Sequence, residues 1–314
     1  MDAIHARYQQ LEEKVRASNP HADTTRLRAA FEYANAHHGQ QLRKSGEPYI
    51  THPIAVAELV ADLGLDMDSI IAALLHDCIE DTDSTHDEIS KQFGATVADL
   101  VEGVTKLTRM QYTSKEEEQM ENLRKMFMAM AKDVRVILIK LCDRLHNMRT
   151  GDAWPEQKRR DKARETMEVY APIANRLGIL NVKEELEDRS LHYLDPVGYA
   201  EISRMLSERA GEEFLIKVSG VIERRLVESG IEGATIKRRV KSIYGIYRKT
   251  IMQNKSFDEI YDIYAVRVIL DSLAECYSTL GLIHDMYHPL PNRFKDYIST
   301  PKPNGYQSLH TTVI

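Results

Sequence analysis

Apolar residues recur at helical spacing over the first two thirds of the chain. From Leu27 to about Leu194 they return every three or four positions, and no alternating apolar and polar run interrupts them. Thr85-x-x-Glu88 and Ser114-x-x-Glu117 match the capping box that begins a helix, and Gly94 suits the end of the first one. The pattern predicts a nearly all-helical domain over residues 1–195.

The pattern changes after Gly233, where apolar and polar residues begin to alternate. Residues 196–230 predict two connecting helices, because Gly211 and Gly230 punctuate otherwise helical sequence. Beyond them we predict strands at 234–240, 263–270 and 308–314, and a helix at 242–252. Residues 231–314 therefore form a second domain of mixed α and β structure.

Composition restricts the class of protein. Hydrophobic residues make up 43% and charged residues 29% of the 314 positions, as in a globular protein with a packed core. The net charge of -6 argues against binding nucleic acid or anionic lipid over the whole surface, so a polyanion needs a local basic pocket.

The cysteines and the hydropathy bear on location. Cys78, Cys142 and Cys276 are too widely spaced for a disulfide framework or a Cys-rich zinc site, which favours the reducing cytoplasm. The start of the chain does not look like a signal peptide, and no stretch reaches the length of a membrane span. We expect a cytoplasmic protein that does not associate with membranes.

An apolar segment ends in four functional side chains. We predict one helix from Ser69 to Asp81 with Asp68 as its N-cap, and its last residues include His76, Asp77 and Glu80. A His-Asp pair on a helix is more often a capping or surface feature than a metal site. Glu80 and Asp81 could position a water or move protons, or they could be solvated acids at a helix end.

Two further candidates complete a ligand set. His52 precedes a helical segment, and Asp143 lies near the centre of another mostly apolar helix. Two imidazoles and two carboxylates suit Mn²⁺ better than a structural zinc site, which usually recruits thiolates. Asn147 and Thr150 follow Asp143 at i+4 and i+7, so all three share one helix face.

The spacing of His52, His76-Asp77 and Asp143 resembles that of HD-type metal phosphohydrolases. Four longer strings resemble the hydrolase domain of the Rel/SpoT family: RKSGEPYITHP from Arg43, HDCIEDT from His76, EGVTKL from Glu102 and DRLHNMRT from Asp143.

The resemblance implies hydrolysis of the 3′-pyrophosphate of (p)ppGpp, leaving GDP or GTP, with Mn²⁺ as cofactor. It implies these roles: His52, His76, Asp77 and Asp143 as metal ligands, Glu80 and Asp81 as catalytic groups, and Arg43, Lys44, Ser45, Asn147 and Thr150 as nucleotide-binding residues.

Residues 237–249 reverse the overall charge, since they hold six basic residues and no acidic one. Composition alone leaves three interpretations open: a solvated basic face, a nucleic-acid surface with Tyr244 and Tyr247 as stacking groups, or a nucleoside triphosphate site.

Three later strings resemble the Rel/SpoT synthetase domain: FDEIYDIYAVR from Phe257, RFKDYI from Arg293 and NGYQSLHTT from Asn304. The resemblance implies pyrophosphate transfer from ATP to the 3′-hydroxyl of GDP or GTP. The implied residues are Asp262 for catalysis and Mg²⁺, Arg239, Lys241 and Lys249 for the ATP phosphates, Tyr306 for guanine stacking, and Lys295, Asn304 and His310 nearby.

The match has two departures. Gly245 stands where the family commonly has serine, and the family's second Mg²⁺-binding carboxylate is expected after Ile314. We therefore expect a truncated, partial synthetase beside a complete hydrolase. The implied fold is α+β and multidomain: an all-α HD-type domain followed by a mixed α/β nucleotidyltransferase-like domain.

Two other functions remain as alternatives: an HD phosphohydrolase of another nucleotide, and a nucleotide- or RNA-binding regulatory module. The expected partners are guanine nucleotides and ATP. We expect no direct DNA binding, and ribosome association only through regions that this chain lacks.

Overall fold

The computed structural model describes residues 3–108, 132–208, 211–303 and 305–314. The chain divides into two compact units, Met1–Leu194 and Asp195–Ile314. The helix start predicted at Ser114 lies outside the described residues, and so does Asn304.

The described part of the first unit is nearly all helical, as predicted, apart from its loops and an isolated β-bridge between Leu42 and Pro48. Its α-helices are α1 Ala3–Ser18, α2 Thr24–His38, α3 Thr51–Asp62, α4 Met67–Leu75, α5 Cys78–Asp81, α6 His86–Phe93, α7 Ala95–Thr108, α8 Val134–Arg149, α9 Glu156–Glu165, α10 Ala171–Arg176 and α11 Leu180–Leu194. A 3₁₀ turn at Gly151–Ala153 follows α8, and a π turn at Thr166–Tyr170 joins α9 to α10. The capping box at Thr85 and the end of α6 at Gly94 are both present.

Helix α8 is buried on two sides. Val136, Ile139 and Cys142 pack into the apolar cluster formed with α1 to α7. Ile137 and Leu141 pack into a second cluster formed with the helices that follow. Polar residues on α8 are therefore drawn into the interior and must find partners there.

The helix predicted over residues 69–81 differs from the structure in two respects. Its N-cap is Asp66, whose side chain accepts a hydrogen bond from Ser69 N, whereas Asp68 lies in the first turn and pairs with Arg26. The helix is also interrupted, because α4 ends at Leu75 and α5 begins at Cys78. The two chemically important residues, His76 and Asp77, form the junction.

The second unit is mixed α and β, as predicted. Its elements are helices α12 Pro196–Ser207 and α13 Glu212–Glu228, strand β1 Thr235–Val240, helix α14 Ile243–Tyr247 continued by a π turn at Arg248–Met252, strand β2 Tyr264–Ile269, helix α15 Leu273–Met286, and short strands β3 Lys295–Asp296 and β4 Leu309–His310. Strands β1 and β2 pair antiparallel, and so do β3 and β4.

The strand predicted at residues 308–314 is shorter than expected. Only Leu309 and His310 form a strand, and Val313 makes an isolated bridge with Pro289. β-branched residues favour a strand only where a partner strand runs alongside, and here the pairing is brief. Among the described residues, no helix is long and apolar enough to span a bilayer.

Candidate functional site

The predicted metal ligands of the first unit meet between three helices. His52 on α3, His76 at the end of α4 and Asp143 on α8 each offer a ligand atom, and these atoms lie within 4.8 Å of one another. Asp77 adjoins them, with Oδ1 at 3.1 Å from His76 Nε2 and Oδ2 at 3.7 Å from His52 Nε2. All four residues therefore converge on one small volume.

The environment of His76 suits a metal ligand. Its Nδ1 lies 2.8 Å from the carbonyl oxygen of Ala73, and a carbonyl can only accept, so Nδ1 carries the proton. The lone pair then resides on Nε2, which is buried and makes no hydrogen bond to the residues that the structure describes. A buried, unsatisfied nitrogen facing two carboxylates fits a divalent cation well.

The other ligands also have hydrogen-bond partners outside the set of four. His52 Nδ1 lies 2.8 Å from His146 Nδ1, and Asp77 Oδ2 accepts a hydrogen bond of 2.8 Å from the Tyr49 hydroxyl. Asp143 Oδ2 pairs with Lys140 Nζ at 2.6 Å. Such contacts orient ligands and tune their basicity.

Sequence reasoning missed Tyr49, Lys140 and His146. Each lies three residues from a predicted ligand. For Lys140 and His146, which share a helix with Asp143, the helical spacing was the available signal, whereas Tyr49 lies in the turn before α3. That spacing indicates proximity but does not say which pairs form hydrogen bonds.

Charges around the cluster keep the carboxylates ionised. Burial alone would raise the pKa of Asp143, but Lys140 and His52 outweigh it and hold the pKa well below its usual range. Burial also opposes ionisation of Asp77, yet the pKa is lowered by His76 and His52. Burial lowers the pKa of His52, which favours the neutral ring that a ligand needs.

A cavity of about 550 Å³ opens beside the cluster. Its lining includes every nucleotide-binding and catalytic residue predicted for the first unit: Arg43, Lys44, Ser45, Glu80, Asp81, Asn147 and Thr150. It also includes residues that the sequence analysis did not single out, among them Tyr49, Lys140, Arg144, Trp154, Lys158 and Lys162.

Arg43 is held in place by the helix face that the sequence predicted. Its Nη2 donates to Asn147 Oδ1 at 3.0 Å and to Thr150 Oγ1 at 3.1 Å. Its Nη1 is buried and makes no hydrogen bond to the described residues. That nitrogen retains donor capacity for an anionic group in the cavity.

The acidic residue predicted for Mg²⁺ in the second unit lies between two lysines. Asp262 accepts from Lys249 Nζ at 2.7 Å and from Lys241 Nζ at 2.9 Å. Partial burial would raise the pKa of Asp262, but these hydrogen bonds lower it to about 2. Three predicted site residues are thus brought together, while Arg239 is exposed on β1.

A second group gathers around Tyr306. Its hydroxyl lies 2.9 Å from His310 Nε2, and Lys302 Nζ is 5.1 Å from the centre of the Tyr306 ring. Lys295 on β3 pairs with His310 on β4 in the strand register. Lys302 was not predicted, although it lies only four residues from Tyr306.

Comparison with known proteins assigns a family to both units. Residues 30–180 match the HD domain, and residues 238–314 match the region found in RelA and SpoT proteins.

Three curated relatives match over most of this chain. A probable guanosine-3′,5′-bis(diphosphate) 3′-pyrophosphohydrolase from Synechocystis is 53% identical over 91% of this chain and 38% of its own length. The guanosine-3′,5′-bis(diphosphate) 3′-pyrophosphohydrolase of Aquifex aeolicus is 50% identical over 92% of this chain and 41% of its own length. The bifunctional (p)ppGpp synthase/hydrolase SpoT of Escherichia coli is 47% identical over 98% of this chain and 44% of its own length.

The chain therefore spans less than half the length of these curated relatives. Within that span it has an HD domain with converging histidines and carboxylates, followed by a RelA/SpoT region with its own basic cluster. On this basis the chain belongs to the RelA/SpoT family.

Proposed function

We propose that the first unit is a Mn²⁺-dependent hydrolase that removes the 3′-pyrophosphate of (p)ppGpp. The observation that carries the proposal is the buried His52, His76 and Asp143 cluster beside a cavity whose lining includes several lysine and arginine side chains. The names of the Synechocystis, Aquifex and Escherichia coli relatives support the same reaction.

The donor set favours a hard or borderline divalent ion. Two imidazole nitrogens and two carboxylates suit Mn²⁺, and no cysteine belongs to the cluster among the described residues. His52, His76, Asp77 and Asp143 would hold the ion. When bound, it would supply charge stabilisation at a phosphoryl oxygen and make water more acidic.

The protein side chains then have separate tasks. Arg43 binds and orients a phosphate through its unsatisfied Nη1, while Asn147 and Thr150 fix its guanidinium. Glu80 and Asp81 line the cavity, where they accept a proton from the attacking water or deliver one to the leaving group. Lys44 and Ser45 contribute further contacts to the nucleotide.

For the second unit we propose binding of ATP and a guanine nucleotide for pyrophosphate transfer. Lys241 and Lys249, with Arg239, would bind ATP phosphates, and Asp262 would hold Mg²⁺. Tyr306, with Lys295 and His310 nearby, offers a ring on which guanine can stack.

A substrate panel tests the hydrolase proposal. We expect the purified chain with Mn²⁺ to release pyrophosphate from ppGpp and pppGpp, and not from GTP or dGTP, which lack the 3′-pyrophosphate. Release from GTP or dGTP in preference to ppGpp would favour the alternative of a phosphohydrolase of other nucleotides. Nucleotide binding with no release at any Mn²⁺ concentration would favour a regulatory binding module.

A further inference from the structure

His146 is a buried histidine to which neither the sequence nor the proposed reaction assigns a task. It lies on α8 three residues after Asp143 and is 7% exposed. Its Nδ1 is 2.8 Å from His52 Nδ1, and the ring centres are 4.9 Å apart. A hydrogen bond between two ring nitrogens contains a single proton, so one ring donates and the other accepts.

The opposite side of His52 determines which ring donates when a metal ion is bound. Its Nε2 lies 3.2 Å from Asp143 Oδ1 and 3.7 Å from Asp77 Oδ2, so this nitrogen faces the ligand cluster. To coordinate an ion, Nε2 must present a lone pair. A neutral imidazole with its lone pair on Nε2 carries its proton on Nδ1.

We propose that His146 is a positioning residue that accepts a hydrogen bond from His52 Nδ1 and thereby holds the lone pair of His52 Nε2 toward the metal. The proposal rests on the metal site proposed above. His146 must then carry its own proton on Nε2.

The same task at His76 is performed by the carbonyl oxygen of Ala73. Carboxylates and carbonyls are the usual partners of metal-bound histidines, and both present negative charge or a strong dipole. An imidazole acceptor orients the ligand while adding no charge, so Asp77 and Asp143 remain the anions at the cluster. Without metal the pair can hold the opposite tautomers, with His52 Nε2 donating to Asp143 and His146 Nδ1 donating to His52.

Two substitutions separate hydrogen-bond acceptance from space filling. His146→Asn places an amide oxygen near the position of the original Nδ1, whereas His146→Leu has similar bulk and no acceptor. The concentration of free Mn²⁺, read from its electron paramagnetic resonance signal, reports metal affinity without any reaction.

We expect His146→Leu to weaken Mn²⁺ binding by roughly tenfold to a hundredfold, as for other partners of metal-bound histidines, and His146→Asn to recover most of it. Unchanged affinity in His146→Leu, or equal losses in both variants, overturns the proposal. Failure of the unsubstituted chain to bind Mn²⁺ instead contradicts the proposed metal site itself.

A spectroscopic test needs no folded leucine variant. In the unsubstituted chain loaded with diamagnetic Zn²⁺, ¹⁵N shifts and one-bond couplings identify the protonated nitrogen of each ring. The signals that disappear in His146→Asn are assigned to His146. We expect His52 protonated on Nδ1 and His146 protonated on Nε2. A proton on His146 Nδ1 in the loaded protein overturns the proposal.

Discussion

At the residue scale, the hydrogen bonds and ion pairs of each proposed ligand matter as much as its residue type, because they orient the side chain. His76 faces the cluster with a free lone pair because the Ala73 carbonyl occupies its other nitrogen. Asp143 divides its oxygens, with Oδ1 toward His52 and Oδ2 on Lys140. A residue type read from sequence identifies a candidate ligand, but these contacts decide which atom it offers.

Glu80→Gln tests proton transfer separately from metal binding. The amide keeps the shape of the side chain but cannot accept or deliver the proton, so we expect turnover to fall by roughly a hundredfold or more. Mn²⁺ affinity should stay close to that of the unsubstituted chain, measured by the free-Mn²⁺ signal. The control is Glu13→Gln on the exposed face of α1, and loss of Mn²⁺ from Glu80→Gln would instead make Glu80 a ligand.

Tyr49→Phe tests the hydrogen bond that the Tyr49 hydroxyl donates to Asp77. The Tyr49 hydroxyl lies 2.8 Å from both Asp77 Oδ2 and Asp81 Oδ2, while its ring stacks on His38 at 4.7 Å and should stay there. We expect kcat or Mn²⁺ affinity to fall by about tenfold, as for loss of other groups that orient ligands. Tyr33→Phe is the control, since that ring packs against Phe93, and equal behaviour of the two variants contradicts the role.

At the element scale, helix α8 brings the site together. Its apolar residues pack into two clusters at once, which buries Lys140, Asp143 and His146 between them. The periodicity of the sequence predicted this helix and its shared Asp143, Asn147 and Thr150 face. It did not predict the break between α4 and α5, because a short kink at His76 and Asp77 hardly changes the apolar pattern.

The hydrogen-bond partners of His52 and Asp77 could not be predicted because they come from distant parts of the chain. Tertiary packing decides that His52 meets His146, which is 94 positions away in sequence. Local spacing carries no information about contacts of that range. In the second unit, likewise, the basic segment was visible in the sequence, but its two ion pairs with Asp262 were not.

Close packing between α7 and α8 gives a prediction for Gly103. A Cβ there would lie 2.8 Å from Val136 Cγ2, so Gly103→Ala should lower the free energy of unfolding by about 1–3 kcal/mol through overpacking. Adding Val136→Ala should recover part of the loss, because the two positions are in contact.

Denaturant unfolding at equilibrium measures both effects. The matched control is Gly220→Ala within α13, where an added Cβ meets nothing within 4 Å and should stabilise the helix by about 0.5–1 kcal/mol. A Gly103→Ala variant as stable as the Gly220→Ala variant contradicts the packing argument.

At the scale of the whole molecule, the two units have separate candidate sites. The residues lining the first cavity all lie before Asp195, and Asp262 with its lysines lies after it. The fold class of both units was predicted from periodicity, and the matches to the HD domain and the RelA/SpoT region agree with it.

Asp262→Asn tests the second unit alone. Removing the carboxylate frees Lys241 and Lys249, so we expect ATP without Mg²⁺ to bind more tightly and the effect of Mg²⁺ on ATP affinity to disappear. Titration calorimetry with and without Mg²⁺ measures both, and Asp271→Asn on the exposed surface is the control. A Mg²⁺ effect of the original size would exclude Asp262 as the magnesium ligand.

The metal cluster of the first unit is the central feature of the proposed hydrolase, and one titration tests it directly. Mn²⁺ is added back to chelator-treated protein while pyrophosphate release from ppGpp is followed, with the unsubstituted chain and His76→Ala compared after both are shown to be folded. Because His76 Nε2 is a buried nitrogen that faces the cluster and has no hydrogen bond within the described part of the chain, its loss should prevent metal binding. We predict that activity returns with Mn²⁺ in the unsubstituted chain and stays absent in His76→Ala at every Mn²⁺ concentration. Full-rate hydrolysis by His76→Ala, or by the unsubstituted chain without metal, would contradict the account.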